Sequence, residues 1–186
     1  MTTATTVLRK EHDAILHMLE VTEEAARQLD RGAAVAPETL AGLLEFFRLF
    51  ADRCHHGKEE DLLFPLLERK GLPRAGGPIG VMLDEHERGR ALVRQMSEAG
   101  EAYGNGDSAA RHRWGEAARG YAALLRQHID KENNVLFMIA ENLLSDAEQA
   151  ELAAAFEKVE VEKMGPGTHE RLHALMDRLA AQVLSP

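Results

Sequence analysis

Two His-x-x-x-Glu strings carry the spacing of a metal site. In the first, His55 is followed four residues later by Glu59, and in the second, His128 is followed at the same distance by Glu132. Residues four apart lie on one face of an α-helix, so each string presents an imidazole and a carboxylate together. These two ligand types bind zinc, iron and manganese in proteins. The chemistry expected of the strings is therefore the binding of a divalent cation by a helical protein.

The two strings belong to an internal repeat. A lone histidine, His12, lies 43 residues before the first string, and another, His86, lies 42 residues before the second. A glutamate precedes each lone histidine, and a Leu-Phe pair follows each string at the same distance, at residues 63–64 and 136–137. The chain therefore contains two copies of one helical hairpin. Packed about a pseudo-twofold axis, they would bring four histidines and two glutamates to one centre.

The glutamates of the strings need a partner. Glu59 and Glu132 fall on the apolar stripes of their helices, where an isolated carboxylate is very costly and two carboxylates repel each other. Two cations would resolve both problems, each taking two imidazoles and one oxygen from each carboxylate. Positions would remain for a bridging oxide or hydroxide and for an outside ligand. Such a site suits two non-haem iron ions, and zinc or manganese is chemically possible.

The elements that position these residues are helices. The chain of 186 residues is rich in Ala, Leu, Glu and Arg and poor in β-branched residues, which favours helix. Glycine and proline breaks and a Ser145–Glu148 capping box predict six helices, near residues 5–30, 37–70, 78–103, 107–143, 145–163 and 168–183. Four long helices with short loops predict an all-α, up-and-down four-helix bundle. We expect one domain over 1–186, with a core bundle at about 5–143 and C-terminal helices at about 145–183.

Composition excludes several classes of partner. The 22 basic and 31 acidic residues leave a net charge of −9, which argues against nucleic acid and against an anionic membrane surface. The single cysteine, Cys54, excludes an internal disulfide framework and a four-cysteine metal site. No apolar run approaches the ~20 residues that span a bilayer, and the N-terminus has no signal-peptide pattern. We therefore expect a cytoplasmic protein.

Over about residues 8–142 the chain resembles the hemerythrin-like (HHE, cation-binding) family. The matching strings are EHD (11–13), HHGKEEDLLFP (55–65), GPIGVMLDEH (77–86) and HIDKENNVLF (128–137). The last three are most similar to the di-iron domain of repair-of-iron-centres proteins. The resemblance implies a bundle that binds two iron ions, with both glutamates bridging and the following ligands: His12, His55, Glu59, His86, His128 and Glu132.

The resemblance also implies what the site handles: O2, NO, peroxide or iron itself, with a small diatomic or peroxidic ligand as the partner. Oxygen-carrying members have a fifth histidine four residues after the one on the third helix. Here that place is Arg90, which implies a more open site. The alternative is an iron or redox sensor with metal-coupled folding and no catalysis. The residues leave open whether the protein is an enzyme, and they identify no protein partner.

Accessory residues surround these six. His56 and Glu60 repeat the His-x-x-x-Glu spacing one residue later, although the LLFP alignment and the helical stripe favour His55 and Glu59. Tyr121 lies two turns before the second string and either packs in the core or contacts a bound ligand. Acidic neighbours of the ligands, such as Glu11, are candidates to orient imidazoles.

A separate HExxH string occupies residues 169–173. On a helix this string supplies zinc ligands and a general base to metalloproteases, so a zinc-dependent hydrolase is a further alternative. His169 and His173 could instead reach the di-metal site as an extra ligand or a proton relay.

Overall fold

The computed structural model describes residues 2–165 and 167–184, and helix is the only regular structure in these ranges. The six helices are α1 (Ala4–Asp30), α2 (37–69), α3 (Pro78–Gly104), α4 (110–143), α5 (Asp146–Met164) and α6 (Thr168–Leu184). The prediction of an all-α protein with six helices is confirmed, with bounds that agree within a few residues. No helix in the described ranges is long and apolar enough to cross a membrane.

The helices begin where the sequence supplies their caps. The Thr3 hydroxyl accepts from the Thr6 amide at 3.2 Å at the start of α1, and α2 and α3 each open on a proline, whose missing amide hydrogen would have no partner there. The predicted capping box at Ser145 and Glu148 is present at the start of α5. These local signals explain why the bounds could be predicted.

The first four helices form the bundle. α4 lies between α1 and α3, and α2 packs against α1 and α3. α5 packs against α1 and against the π-helical segments of α2. α6 packs against α1 and the first half of α2. The two C-terminal helices therefore pack against the bundle, as predicted, and both contact its α1–α2 side.

Two apolar clusters fill the interior. One contains Phe47, Trp114 and Leu175 and lies toward the α1–α2 loop, and the other contains Leu8 and Phe137 and lies toward the α2–α3 loop. On each of the four bundle helices, the residues of the two strings and the lone histidines fall where one cluster gives way to the other, although Ile129 of the first cluster directly follows His128. The candidate ligands thus make a polar layer inside an otherwise apolar bundle.

The helices that carry the strings are not α-helical throughout. α2 is α-helical over Pro37–Phe46, becomes π-helical over Phe47–His56 and Glu59–Leu63, and ends as an α-helix. α4 contains one π-helical segment, Glu132–Leu136. Each five-residue π segment begins at the glutamate of a string. Because a π turn holds more residues than an α turn, it redirects the side chains that follow, and such turns are frequent at functional sites. The helical periodicity of the sequence did not predict these segments.

Candidate metal centre

One group of four buried side chains joins three helices. His12 Nε2 lies 3.0 Å from His55 Nε2 and 3.0 Å from Glu132 Oε2. His55 Nε2 lies 3.7 Å from Glu59 Oε1. One ligand atom from each of these residues lies within 4.8 Å of all the others, a spacing that one cation can span. Two imidazoles and two carboxylates therefore face one point.

A second group repeats this arrangement with the same two glutamates. His86 Nε2 lies 3.1 Å from His128 Nε2 and 3.5 Å from Glu59 Oε2. His128 Nε2 lies 3.2 Å from Glu132 Oε1. Each glutamate thus presents one oxygen to each pair of histidines. The structure brings together all six predicted ligands, in an arrangement suited to two cations that share both carboxylates.

The two carboxylates of the centre lie close to imidazole nitrogens, but the described residues do not satisfy their hydrogen-bonding capacity. All four carboxylate oxygens of Glu59 and Glu132 are buried and accept no well-aligned hydrogen bond from the described residues. A buried polar atom without a partner costs free energy, and a buried charge costs far more. A pair of cations would neutralise both carboxylates, so these residues fit a two-metal centre.

Burial and charge set the protonation of the site. Burial raises the pKa of Glu59 well above its usual value, and the negative charge of Glu132 raises it further. Burial also lowers the pKa of His55 to about 4, which keeps its imidazole neutral. Although burial opposes protonation of His128, the charge of Glu132 raises the pKa of His128 to about 9. Metal binding requires neutral imidazoles and ionised carboxylates, so it must displace protons from this centre.

A glutamate orients each histidine of the strings, and a lysine in turn contacts that glutamate. His55 Nδ1 donates to Glu11 at 2.8 Å, and Lys58 donates to the same carboxylate. In the second hairpin, His128 Nδ1 donates to Glu85 at 3.1 Å, and Lys131 donates to that carboxylate in the same way. A carboxylate behind the ring fixes its orientation and leaves Nε2 free for a metal.

The lone histidines are held across the two hairpins. His12 Nδ1 donates to Asn133 Oδ1 at 2.9 Å, and His86 Nδ1 donates to Glu60 Oε1 at 2.7 Å. Asn133 and Glu60 each directly follow a glutamate of the strings. Glu60 thus positions an imidazole from behind, while Glu59 faces the centre. This geometry favours the His55 and Glu59 register over the alternative one residue later.

His56 and Tyr121 lie on the α3 side of the centre. The ring of His56 stacks on that of His86, with centroids 3.8 Å apart. Tyr121 is buried, packs edge-on against Phe47 with centroids 4.8 Å apart, and lines a cavity of about 190 Å³ that His56 also lines. Tyr121 therefore serves the core and the wall of this cavity.

The HExxH string receives no comparable support. His173 is exposed, and its ring lies edge-on to Phe50 with centroids 6.2 Å apart. Among the described residues it belongs to none of the groups able to hold a metal. The side chain of His169 lies outside the described residues.

Sequence reasoning missed the roles of Lys58, Lys131 and Asn133. The two lysines were visible in the repeat, since each lies three residues after the histidine of its string. Asn133 and Glu60 each accept a hydrogen bond from a histidine of the other hairpin. The sequence does not indicate these contacts, because they depend on how the hairpins pack.

Comparison with known proteins places this geometry in a family. Residues 3–140 match the Hemerythrin HHE cation binding domain, which covers most of the chain. The chain belongs to the hemerythrin HHE cation-binding family. It is a metal-binding, hemerythrin-like protein, and its two groups of histidines and glutamates fit iron. The sequence-based resemblance is thereby confirmed.

Curated relatives match the chain at less than 30% identity. An uncharacterized protein of Mycobacterium tuberculosis, Rv1995, is 26% identical over 163 residues, covering 88% of this chain and 63% of the relative. The iron-sulfur cluster repair protein YtfE of Escherichia coli is 28% identical over 136 residues, covering 70% of this chain and 61% of the relative. The chain thus spans about three fifths of the length of these relatives. No solved structure gives a significant match.

Proposed function

We propose that the protein binds two iron ions inside the bundle and that both glutamates bridge them. The observation that carries this proposal is the pair of buried groups in which Glu59 and Glu132 each face two histidine pairs. One pair would be His12 and His55, and the other His86 and His128. The name of the Escherichia coli relatives, which refers to iron-sulfur clusters, supports iron over zinc or manganese.

The proposed activity is the binding of O2, NO or peroxide. Non-haem iron held by imidazole and carboxylate with positions left open supplies ligand binding and redox chemistry. The chain supplies orientation and exclusion of water. Glu11, Glu85, Glu60 and Asn133 fix the four rings from behind, and the apolar clusters on either side keep the layer buried.

Metal content and absorbance test the proposal. The protein is loaded with Fe(II) without oxygen, desalted, and then exposed to air or titrated with NO. We expect about two irons per chain, near-ultraviolet absorbance after oxidation and a new visible band with NO. Glu132→Ala should lose the iron pair, because it removes one oxygen from each group, whereas His112→Ala, which changes an exposed histidine far along α4, should retain it.

The contrary results are equally specific. A folded protein that binds no stoichiometric metal would return the chain to a structural bundle. One zinc per chain that survives Glu132→Ala would point to the HExxH string at 169–173 instead.

A further inference from the structure

A cavity lies beside the candidate metal centre, between α2, α3 and α4. Its volume is about 190 Å³, more than the roughly 150 Å³ of an engineered cavity that holds benzene. His56 forms part of its wall and stacks on His86, with ring centroids 3.8 Å apart. The six candidate ligands, all of which the structure describes, do not line it. A molecule in the cavity would therefore lie next to the metal layer without replacing a protein ligand.

The inner part of the cavity is apolar and carries one hydroxyl group. Phe47, Gly89 and Val93 are buried residues of its wall. Tyr121 also lines it and is 3% exposed, and the Tyr121 hydroxyl has no hydrogen-bond partner among the described residues. The hydroxyl oxygen is not fully enclosed by protein atoms, so it can be reached from the cavity. This interior suits a molecule with an apolar body.

The mouth of the cavity carries two arginines without acidic partners. Arg48 of α2 and Arg94 of α3 are exposed and line the cavity from opposite helices. Neither pairs with an acidic side chain of the described chain, although the protein has a net charge of −9. Arg90 differs, because it donates to Asp52 and to Glu60, each at 2.8 Å. Asp52 is the acidic residue of the described cavity wall. Since Arg90 neutralises it, the two unpaired guanidinium groups leave the mouth positive.

This combination of charge and apolar surface indicates the class of ligand. A guanidinium group recognises a carboxylate with two parallel hydrogen bonds. We infer that the cavity binds a small organic carboxylate of about the size of benzoate. The carboxylate lies between Arg48 and Arg94, and the apolar body packs against Phe47 and Val93. An inorganic anion would leave the apolar wall without contacts, and a neutral molecule would leave both arginines unpaired. This inference does not depend on the proposed iron pair.

Titration calorimetry with three probes tests the class of ligand. The full chain as purified is titrated at pH 7 and low ionic strength with benzoate, with benzamide and with sulfate. Benzamide keeps the shape of benzoate without its charge, and sulfate keeps a negative charge without an apolar body. We expect a dissociation constant of roughly 0.1–1 mM for benzoate, typical of a ligand of this size. Benzamide and sulfate should each bind at least about tenfold more weakly.

Variants locate the binding site. The double variant Arg48→Gln, Arg94→Gln should weaken benzoate binding by at least about tenfold, because it removes both charged donors. Glutamine is as good a helix former as arginine, so the fold should be retained. Arg53→Gln is the matched control, since Arg53 is another exposed arginine of α2 that does not line this cavity in the described structure. It should bind benzoate like the wild type.

Methyl resonances show whether the aromatic ring enters the cavity. In a carbon–proton correlation spectrum, saturating benzoate should shift the methyl signals of Val93. The methyl signals of Val183, which belongs to the same apolar cluster but does not line the described cavity, should stay in place. A carboxylate that only contacts surface arginines would move neither.

Four results would overturn the carboxylate site. They are no measurable benzoate binding, sulfate binding as tight as that of benzoate, wild-type affinity in the double variant, and unshifted Val93 methyl signals at saturation. The titration is repeated after treatment with a chelator, and we expect the same affinity. Loss of binding on chelation would show that benzoate binds the metal itself, which overturns the cavity site and leaves the two-iron proposal standing. Absence of an iron pair would overturn the proposed function and leave the cavity site standing.

Discussion

At the scale of single residues, the centre holds two carboxylates in one apolar interior. Glu59 and Glu132 are both fully buried, and burial together with the charge of Glu132 raises the pKa of Glu59. The metal-free protein must therefore keep Glu59 protonated at a pH where the unfolded chain ionises it. This residue is retained at a cost to the stability of the metal-free fold.

Glu59→Gln should stabilise the metal-free protein and abolish the iron pair. A raised carboxyl pKa stabilises the fold fully below the unfolded value, and that stability is lost as pH rises. The amide does not titrate, so the gain over wild type should be near zero at pH 4 and about 1–2 kcal/mol at pH 7. Urea unfolding of chelator-treated protein at both pH values measures it. Glu157→Gln, on the surface of α5, should show no such gain, and a Glu59→Gln protein less stable than wild type at pH 7 would contradict the argument.

The stabilisation that Arg90 provides changes with pH in the opposite direction to the effect of Glu59. Although burial opposes it, hydrogen bonds from His56 and Arg90 lower the pKa of Asp52 to about 2, and hydrogen bonds from His86 and Arg90 do the same for Glu60. A lowered carboxyl pKa stabilises the fold above the unfolded value, and that stability is lost as pH falls toward 2.

Arg90→Gln should therefore cost about 1 kcal/mol at pH 7, after allowance for partial solvent screening of these groups, and much less at pH 3. The difference in urea midpoint between variant and wild type, measured across this range without metal, tests it. Arg88→Gln changes an exposed arginine of the same helix and should be neutral at every pH. A cost that stays constant with pH would mean that Arg90 acts through packing alone.

At the scale of elements, the two hairpins repeat their chemistry but differ in how deeply it is buried. Lys58 is 1% exposed and contacts Glu11 together with Glu160 of α5, at 3.0 Å from the latter. The side chain of Lys131, its counterpart, is 38% exposed. The C-terminal helix α5 therefore closes over one lysine and leaves the other at the surface.

Lys58→Met should destabilise the protein far more than Lys131→Met. Removing one partner of a buried ion pair costs roughly 3–5 kcal/mol, whereas a pair near the surface contributes about 0–1 kcal/mol. Chemical unfolding of the two metal-free variants gives the comparison directly. Equal losses in the two variants would show that α5 does not seal this side of the centre.

Element bounds could be predicted because glycine, proline and capping residues act locally, as at Pro37, Pro78 and Ser145. The π-helical turns could not. Pro65 follows the first five-residue π segment, but Met138 follows the second at the equivalent position, so proline is not their signal. The hydrogen bonds of π and α turns differ by one residue in register without any change in residue type.

The candidate site also has a part that the sequence predicts and a part that it does not. The six residues that the sequence names as ligands do lie together, because residue type and repeat spacing identify them, and their binding of metal stays a prediction. The partners behind the lone histidines, Asn133 and Glu60, come from the opposite hairpin, and only the packed bundle shows which residue meets which.

At the scale of the whole molecule, two apolar clusters lie on either side of the metal layer. Neither cluster contains a ligand, so both can persist when metal is removed. This arrangement favours a preformed site over a sensor that folds when it binds metal.

Chelation should lower the melting temperature without loss of helix. A ligand at 100 times its dissociation constant stabilises the folded state by about 2.7 kcal/mol, which in a chain of this size is a shift of roughly 5–10 °C. Circular dichroism with and without chelator reports both quantities. Loss of most of the helical signal at 25 °C on removal of iron would favour the metal-coupled sensor.

The loop between α2 and α3 joins the two hairpins, which contribute equally to the centre. Each hairpin brings two histidines and one glutamate, and each lends the other the residue that holds its lone histidine. Neither hairpin alone can offer a cation both carboxylates. A single hairpin that paired with its own copy would therefore possess a complete two-metal centre. Metal binding would then hold the two copies together. Within one chain the two hairpins are free to differ, as they do where one has His56 and the other has Ile129.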